Sequence, residues 1–159
     1  KQEKSKEMEV LEKLKEENPL LDLKNINENE IRQLVKRLAP EIARPLLGAV
    51  LNRDLTREGL KVLTASAFDE KQFGRLLLAE QEILRDLLGI STPKIDRMLQ
   101  AAIEHGALGG KINGSGSGGC MFAYAPEEPA RVARAIEDQG GKAYIINVDS
   151  GLNIEKNFL

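Results

Sequence analysis

The chain has 159 residues, 42% of them hydrophobic and 30% charged, with a formal net charge of −2. This composition suits a globular domain long enough to bury its own core, and so even a charge balance offers nothing to attract nucleic acid or an anionic membrane. No run is apolar enough to span a bilayer or to act as a secretory h-region, and the single cysteine, Cys120, allows no intrachain disulfide and fits a reducing, cytoplasmic home.

The first half reads as helix. Residues 2 to 17 carry Met8, Val10, Leu11 and Leu14 on one stripe of a Lys/Glu-rich helix that Asn18-Pro19 stops. Asn27 with Glu30 three residues on is close to a capping box, and Ile31, Leu34, Val35 and Leu38 follow at helical spacing up to Pro40. A longer helix is expected from Pro45 to about Ala67, and another, capped by Asp69, runs to Leu88 with Phe73, Leu76, Leu77, Ile83, Leu84 and Leu87 inward.

The second half changes character. Thr92 before Pro93 opens a helix carrying Ile95, Met98, Leu99, Ala102 and Ile103, which Gly106 ends. Gly110 to Asn113 and Cys120 to Ala125 read as two strands, residues 127 to 139 as a helix, and Lys142 to Val148 as a third, β-branched strand. This order gives an α+β fold: a ferredoxin-like antiparallel sheet with several covering helices. The division expected is a helical part over 1–90 and an α+β part over 91–159.

Seven of the 14 glycines fall between Gly106 and Ala125. Glycine loses more conformational freedom on folding than any other residue, so such density implies positive φ angles or a backbone approach that no Cβ would permit. Successive N–H groups in a small-residue loop can also form an anion-holding concavity. Gly114-Ser-Gly-Ser-Gly-Gly119 satisfies G-x-G-x-x-G, but a strand follows it rather than the helix the dinucleotide fold requires. The Val-Ala-Ile-Lys, His-Arg-Asp and Asp-Phe-Gly segments of protein kinases are missing. So is the Walker pattern, because Lys111 precedes the main glycine run and isoleucine follows it.

What remains is a small-residue loop between two strands. The run from Leu108 through Gly-Gly-Lys-Ile-Asn-Gly-Ser-Gly-Ser-Gly-Gly to Cys120-Met121 resembles the third conserved motif of the GHMP small-molecule kinases, and among these galactokinases most. Arg53-Asp-Leu-Thr-Arg-Glu, Phe73-Gly-Arg-Leu-Leu, Leu84-Arg-Asp and Ile90-Ser-Thr-Pro-Lys-Ile-Asp96 follow the order and spacing of galactokinase C-terminal halves, so the resemblance covers roughly Asn52 to Gly151. Ser117 stands where many members have glycine or phenylalanine, and Lys111 where some have arginine.

The resemblance implies the C-terminal fragment of an ATP- and Mg²⁺-dependent sugar kinase, most closely a galactokinase making galactose 1-phosphate, whose N-terminal domain supplies the phosphate loop and the catalytic region. Neither part is found here, so no catalytic or metal residue is assigned and the isolated fragment should be inactive. A start at Lys1 rather than methionine agrees with a fragment. The resemblance implies that Asn113, Gly114, Ser115, Gly116, Ser117, Gly118 and Gly119 form one wall of the nucleotide site. Its partners would be ATP, a small sugar and the missing domain, with neither nucleic acid nor membrane, and an unpaired sheet edge that invites a dimer. Alternatives are another GHMP kinase acting on a heptose, another hexose or mevalonate, and a non-catalytic nucleotide- or sugar-binding regulatory module.

Simpler structural roles are expected of other residues. His105 should cap its helix, Asp96 should serve the first turn of its own, Cys120 should be a small buried hydrophobe, and Arg53, Arg57 and Glu58 should be a solvated face. Lys111 is read equally as solvated or as steadying phosphate charge.

Overall fold

The computed structural model describes residues 22–114 and 116–148; the stripe over residues 2 to 17, Ser115 and everything after Val148 lie outside the described residues. The elements in order are α1 (Glu28–Val35), α2 (Pro40–Thr64), α3 (Glu70–Asp86), α4 (Pro93–Glu104), β1 (Gly109–Asn113), β2 (Cys120–Tyr124) and α5 (Pro129–Asp138). β1 and β2 form an antiparallel hairpin in the register Gly109 to Tyr124 and Asn113 to Cys120. Among the described residues, five helices and a small antiparallel sheet make this an α+β fold.

Local chemistry sets the helix starts. The Asn27 side chain accepts from the Glu30 amide at 3.0 Å while Glu30 accepts from the Asn27 amide at 3.1 Å, the reciprocal box expected. Asp69 and Thr92 cap α3 and α4 by accepting from the amides of Gln72 and Ile95. α2 starts at Pro40 rather than Pro45. Ala39 is extended and Pro40 takes the first helical position, where a missing N–H costs nothing. Pro45 then sits inside the helix, where the bond it forfeits would have gone to the carbonyl of Glu41, an exposed residue within reach of water.

Three apolar clusters hold the elements together. The central one gathers Leu84 from α3, Ile95, Met98 and Leu99 from α4, and Ile112 from β1. Burying each such side chain is worth roughly 1.5–3 kcal/mol. Ile31, Leu46 and Val50 join α1 to α2, and Ala102, Ala107 and Val132 seat α5 on α4. α3 lies directly on the start of β1 because both contact residues are glycine. A Cβ on Gly74 would strike the Leu108 carbonyl, and one on Gly109 would strike the Gly74 backbone.

Two expectations are corrected here. Lys142 to Val148 forms no strand ladder. Tyr144, Ile145, Ile146 and Val148 are 71%, 57%, 81% and 102% exposed, so successive residues meet solvent on both faces. The β-branched sequence is that of a strand, but a strand exists only through pairing, and no described segment pairs with this one. Arg53 is likewise no solvated surface residue. Its guanidinium donates to the carbonyls of Leu23 at 2.5 Å and Ile26 at 2.7 Å while pairing with Asp54, and its side chain is only 19% exposed. Arg57 donates to the carbonyl of Lys24 at 2.7 Å. The turn from Asp22 to Ile26 is thus pinned to α2. Within it the Asp22 carboxylate accepts from the Lys24 amide and the Asn25 side chain, which holds its pKa below the ordinary value.

Replacing Arg53 by Met keeps the aliphatic stem and removes both carbonyl bonds. Urea unfolding should show a loss of about 2 kcal/mol, and Arg53→Lys should recover little of it, because one ammonium cannot reproduce the planar fork.

Candidate functional site

The glycine loop leaves β1 at Asn113, returns at Cys120, and lies against the segment that enters α4. Its shape comes from left-handed residues, Gly114 at φ 80° and then Gly116 at 79°, Ser117 at 60° and Gly118 at 95°. Only Ser117 among these carries a Cβ, and a left-handed conformation costs such a residue roughly 1–2 kcal/mol. Among the described residues, one backbone bond fastens the loop to the segment before α4. The Ser117 amide donates to the Ile90 carbonyl at 2.8 Å, and Gly116 packs so closely there that a Cβ would come within 2.6 Å of the same oxygen. Gly114 has open space where a Cβ would be, and a Cβ on Gly118 would meet only the Thr92 methyl, at 3.7 Å. Asn113, Gly114, Ser117, Gly118 and Gly119 are exposed.

A polar chain, buried at Gln81 and half-buried at Ser91 and Asp96, ties α3 to the entry of α4. Gln81 on α3 is 5% exposed. Its Oε1 accepts from the Ile112 amide at 2.9 Å, and its Nε2 donates to Ser91 Oγ at 3.1 Å. Ser91 in turn donates to Asp96 Oδ1 at 2.6 Å. Asp96 therefore sits in the first turn of α4 as expected and also holds the entry segment that carries the loop. Gln81 satisfies a strand amide that would otherwise be buried without a partner, at a cost of about 1–3 kcal/mol.

Lys111 is neither solvated nor available as a free cation. Its ammonium pairs with Glu80 Oε1 at 2.5 Å, with the two side chains 20% and 16% exposed. The exposed face of the loop therefore carries no net side-chain charge, and its polarity comes from the backbone and from the N-terminal end of α4, where a helix dipole favours anions.

Cys120 is exposed, not buried. It opens β2 where the loop rejoins the sheet, so the apolar run that follows says nothing about its own side chain. His105 caps α4 as expected, its Nδ1 lying 2.8 Å from the Ala101 carbonyl. At the far end of β2 the Tyr124 hydroxyl donates to Glu70 Oε1 at 3.2 Å, and its ring meets Phe68 and Phe73 edge-on. Burial and then the Glu70 carboxylate raise this phenol above its ordinary value.

Glu80 and Gln81 escape a reading of motifs, and Ser91 enters it only as a member of the run from Ile90 to Asp96, with no role of its own. A signal for Gln81 was present: it sits four residues after Leu77 and three before Leu84, on the stripe that α3 buries. A glutamine there implies a buried partner. Among the described residues no group of three or more His, Cys, Asp and Glu side chains gathers to hold a metal ion, and no helix is long and apolar enough to cross a membrane.

The sequence model described as GHMP kinases C terminal matches residues 62–142, just over half of the chain, from the last turn of α2 to the start of the exposed segment after α5. The chain belongs to the GHMP kinase C-terminal family. Mevalonate kinase of Thermococcus onnurineus is 40% identical over 121 residues, covering 74% of this chain but 35% of the relative. Galactokinase of Mycobacterium tuberculosis is 34% identical over 96 residues, covering 54% of this chain and 26% of its own length. The fold is shared with the crystal structure of Lactococcus lactis galactokinase complexed with galactose, at a TM-score of 0.70 and 21% identity over 84% of this chain and 36% of that one. The chain thus spans about a third or less of the proteins it matches.

The loop geometry separates two kinds of glycine. Gly116→Ala adds a collision with the Ile90 carbonyl to the left-handed strain and should lower stability by about 3 kcal/mol. Gly114→Ala carries the strain alone, about 1 kcal/mol, and Ser117→Gly should be neutral or slightly stabilising. Thermal or urea unfolding of the three variants checks the order.

Proposed function

We propose that these residues are the C-terminal part of an ATP-dependent small-molecule kinase that moves the γ-phosphoryl group of ATP to a hydroxyl of a small polyol or hydroxy acid. The observation carrying this reading is a glycine loop with four left-handed residues, exposed beside the N-terminal end of α4, in a chain of the GHMP kinase C-terminal family. Phosphoryl transfer asks a protein mainly for positioning and for donors to the phosphoryl oxygens, and a loop with little side-chain bulk lets phosphates or a facing phosphate loop come close.

Asn113, Gly114, Ser115, Gly116, Ser117, Gly118 and Gly119 form one wall of the nucleotide site in this reading. Gly116 and Ser117 hold the wall in place through Ile90, while Gly114, Gly118 and Gly119 present it. The donor set described here does not fit Mg²⁺, so ligands for that ion would belong to other parts of the protein. The compartment proposed is the cytoplasm, on the ground that the 159 residues carry a single cysteine and no intrachain disulfide.

Two acceptors are proposed. Galactose follows from the motif order between Arg53 and Asp96, and mevalonate is favoured by the higher identity over a longer stretch. Full-length protein should release ADP with one of galactose, other hexoses, a heptose or mevalonate, and the 159 residues alone should release none. Absence of ADP release with every acceptor would leave the binding-module reading. Gly118→Ala should cut kcat/KM for ATP at least about tenfold for a few degrees of melting temperature; equal loss of both would reduce the loop to a hairpin turn.

The exposed segment from Tyr144 to Val148 is proposed to pair with a strand outside the described residues, and with a second copy when none is present. The isolated chain should then run as a dimer on sizing with light scattering, and Ile146→Lys should return it to monomer. A monodisperse wild-type monomer would count against edge pairing.

A further inference from the structure

Two anchors of the glycine loop pass through one side chain. β1 delivers the chain to Asn113 from Ile112, which is 1% exposed and whose amide donates to Gln81 Oε1 at 2.9 Å. The middle of the loop is held at Ile90, where the Ser117 amide donates to the carbonyl at 2.8 Å and a Cβ on Gly116 would come within 2.6 Å of that oxygen. Ile90 is the neighbour of Ser91, whose Oγ accepts from Gln81 Nε2 at 3.1 Å and donates to Asp96 Oδ1 at 2.6 Å. The start and the middle of the loop are therefore both referred to α3 through Gln81.

The fold requires only part of this. An acceptor for the Ile112 amide is a structural necessity, because a buried donor without a partner is costly. The segment before α4 has fastenings of its own: the Ile90 amide donates to the Leu84 carbonyl at 3.0 Å, the Ile90 side chain packs on the central cluster, and Thr92 caps α4. Apolar packing is not directional, so it keeps Ile90 on the core without fixing how far its carbonyl stands from β1. The bonds through Gln81, Ser91 and Asp96 do fix that separation, since each holds only over a narrow range of distance and angle. What they locate is the open face of the loop: Asn113, Gly114, Gly118 and Gly119 are exposed on either side of the fastening to Ile90.

We infer that Gln81, acting through Ser91 and Asp96, is a positioning residue for phosphoryl transfer: it sets where the glycine loop stands against the nucleotide while touching neither nucleotide nor acceptor. The role rests on the kinase function proposed for the chain. Loss of the Ser91 hydroxyl frees the Ile90 anchor to shift while the Gln81 bond to β1 stays, and a displacement of about 1 Å can cost about a hundredfold in rate. The effect falls on ATP rather than on the acceptor, because the loop is a wall of the nucleotide site in that reading.

Two variants and two readouts test this. Ser91→Ala removes the link and leaves the Gln81 bond to Ile112, whereas Ser91→Thr keeps a hydroxyl in place. In the whole 159-residue chain, amide hydrogen exchange at Ser117 should be at least about tenfold faster in Ser91→Ala, with Ile112 and, as control, Val50 of α2 unchanged, and should return towards the wild-type rate in Ser91→Thr. Gln81→Met should quicken exchange at both Ile112 and Ser117; if it does not fold, the serine pair still decides. In the full-length protein, Ser91→Ala should raise KM for ATP at least about fivefold with KM for the acceptor within about twofold of wild type, and Ser91→Thr should recover most of the loss. A role confined to stability would lower Tm and the yield of active enzyme but leave KM for ATP in place. That result, or wild-type exchange at Ser117 in Ser91→Ala, overturns the positioning role alone. Absence of ADP release from wild-type full-length protein with every acceptor overturns the kinase reading and the positioning role with it, even where Ser117 exchange is faster.

Discussion

Gln81 carries the connection between the helical layer and the hairpin. Its amide accepts from β1 on one side and donates to the entry of α4 on the other, so three elements from separate parts of the chain share one side chain. An apolar residue of the same volume would fill the space but leave the Ile112 amide without this partner. The glycine loop hangs from both ends of this bridge. β1 leads into it, and Ile90, one residue before Ser91, accepts its only described bond to that segment. A loop rich in glycine is ordinarily costly to order. Here the cost is offset by fixing its neighbours first.

This division explains what the sequence could and could not reveal. α1, α3 and α4 were legible because capping residues mark their starts and apolar residues recur at helical spacing, and α5 by its spacing alone. The hairpin was legible because short strands flank the glycines. α2 was misplaced by five residues because two prolines compete for its start, and only the extended backbone of Ala39 decides between them. The third strand failed for another reason. Its residue types are right, but strand formation is a property of two segments and only one is described.

Reading side chains one at a time had the same limit. Lys111 could be called solvated or phosphate-directed from its position, and it is neither, because Glu80 is 31 residues away in sequence and beside it in space. Arg53 looked like a surface residue for the same reason: its carbonyl partners lie in a turn that carries no motif. The loop itself was legible as a place needing glycine. Which glycines serve the fold and which serve the open face required the distance to Ile90.

The contact between Gly74 and Gly109 constrains how this chain can change. Obstacles made of side chains can be relieved by trimming the neighbour, so a harmful substitution often has a compensating one. Here the obstacle to a side chain at either position is main chain, which no second substitution can shorten. A genetic screen for suppressors of Gly74→Ala should find none at Leu108 or Gly109, and any recovered would have to shift the axis of α3, carrying Gln81 and the loop with it.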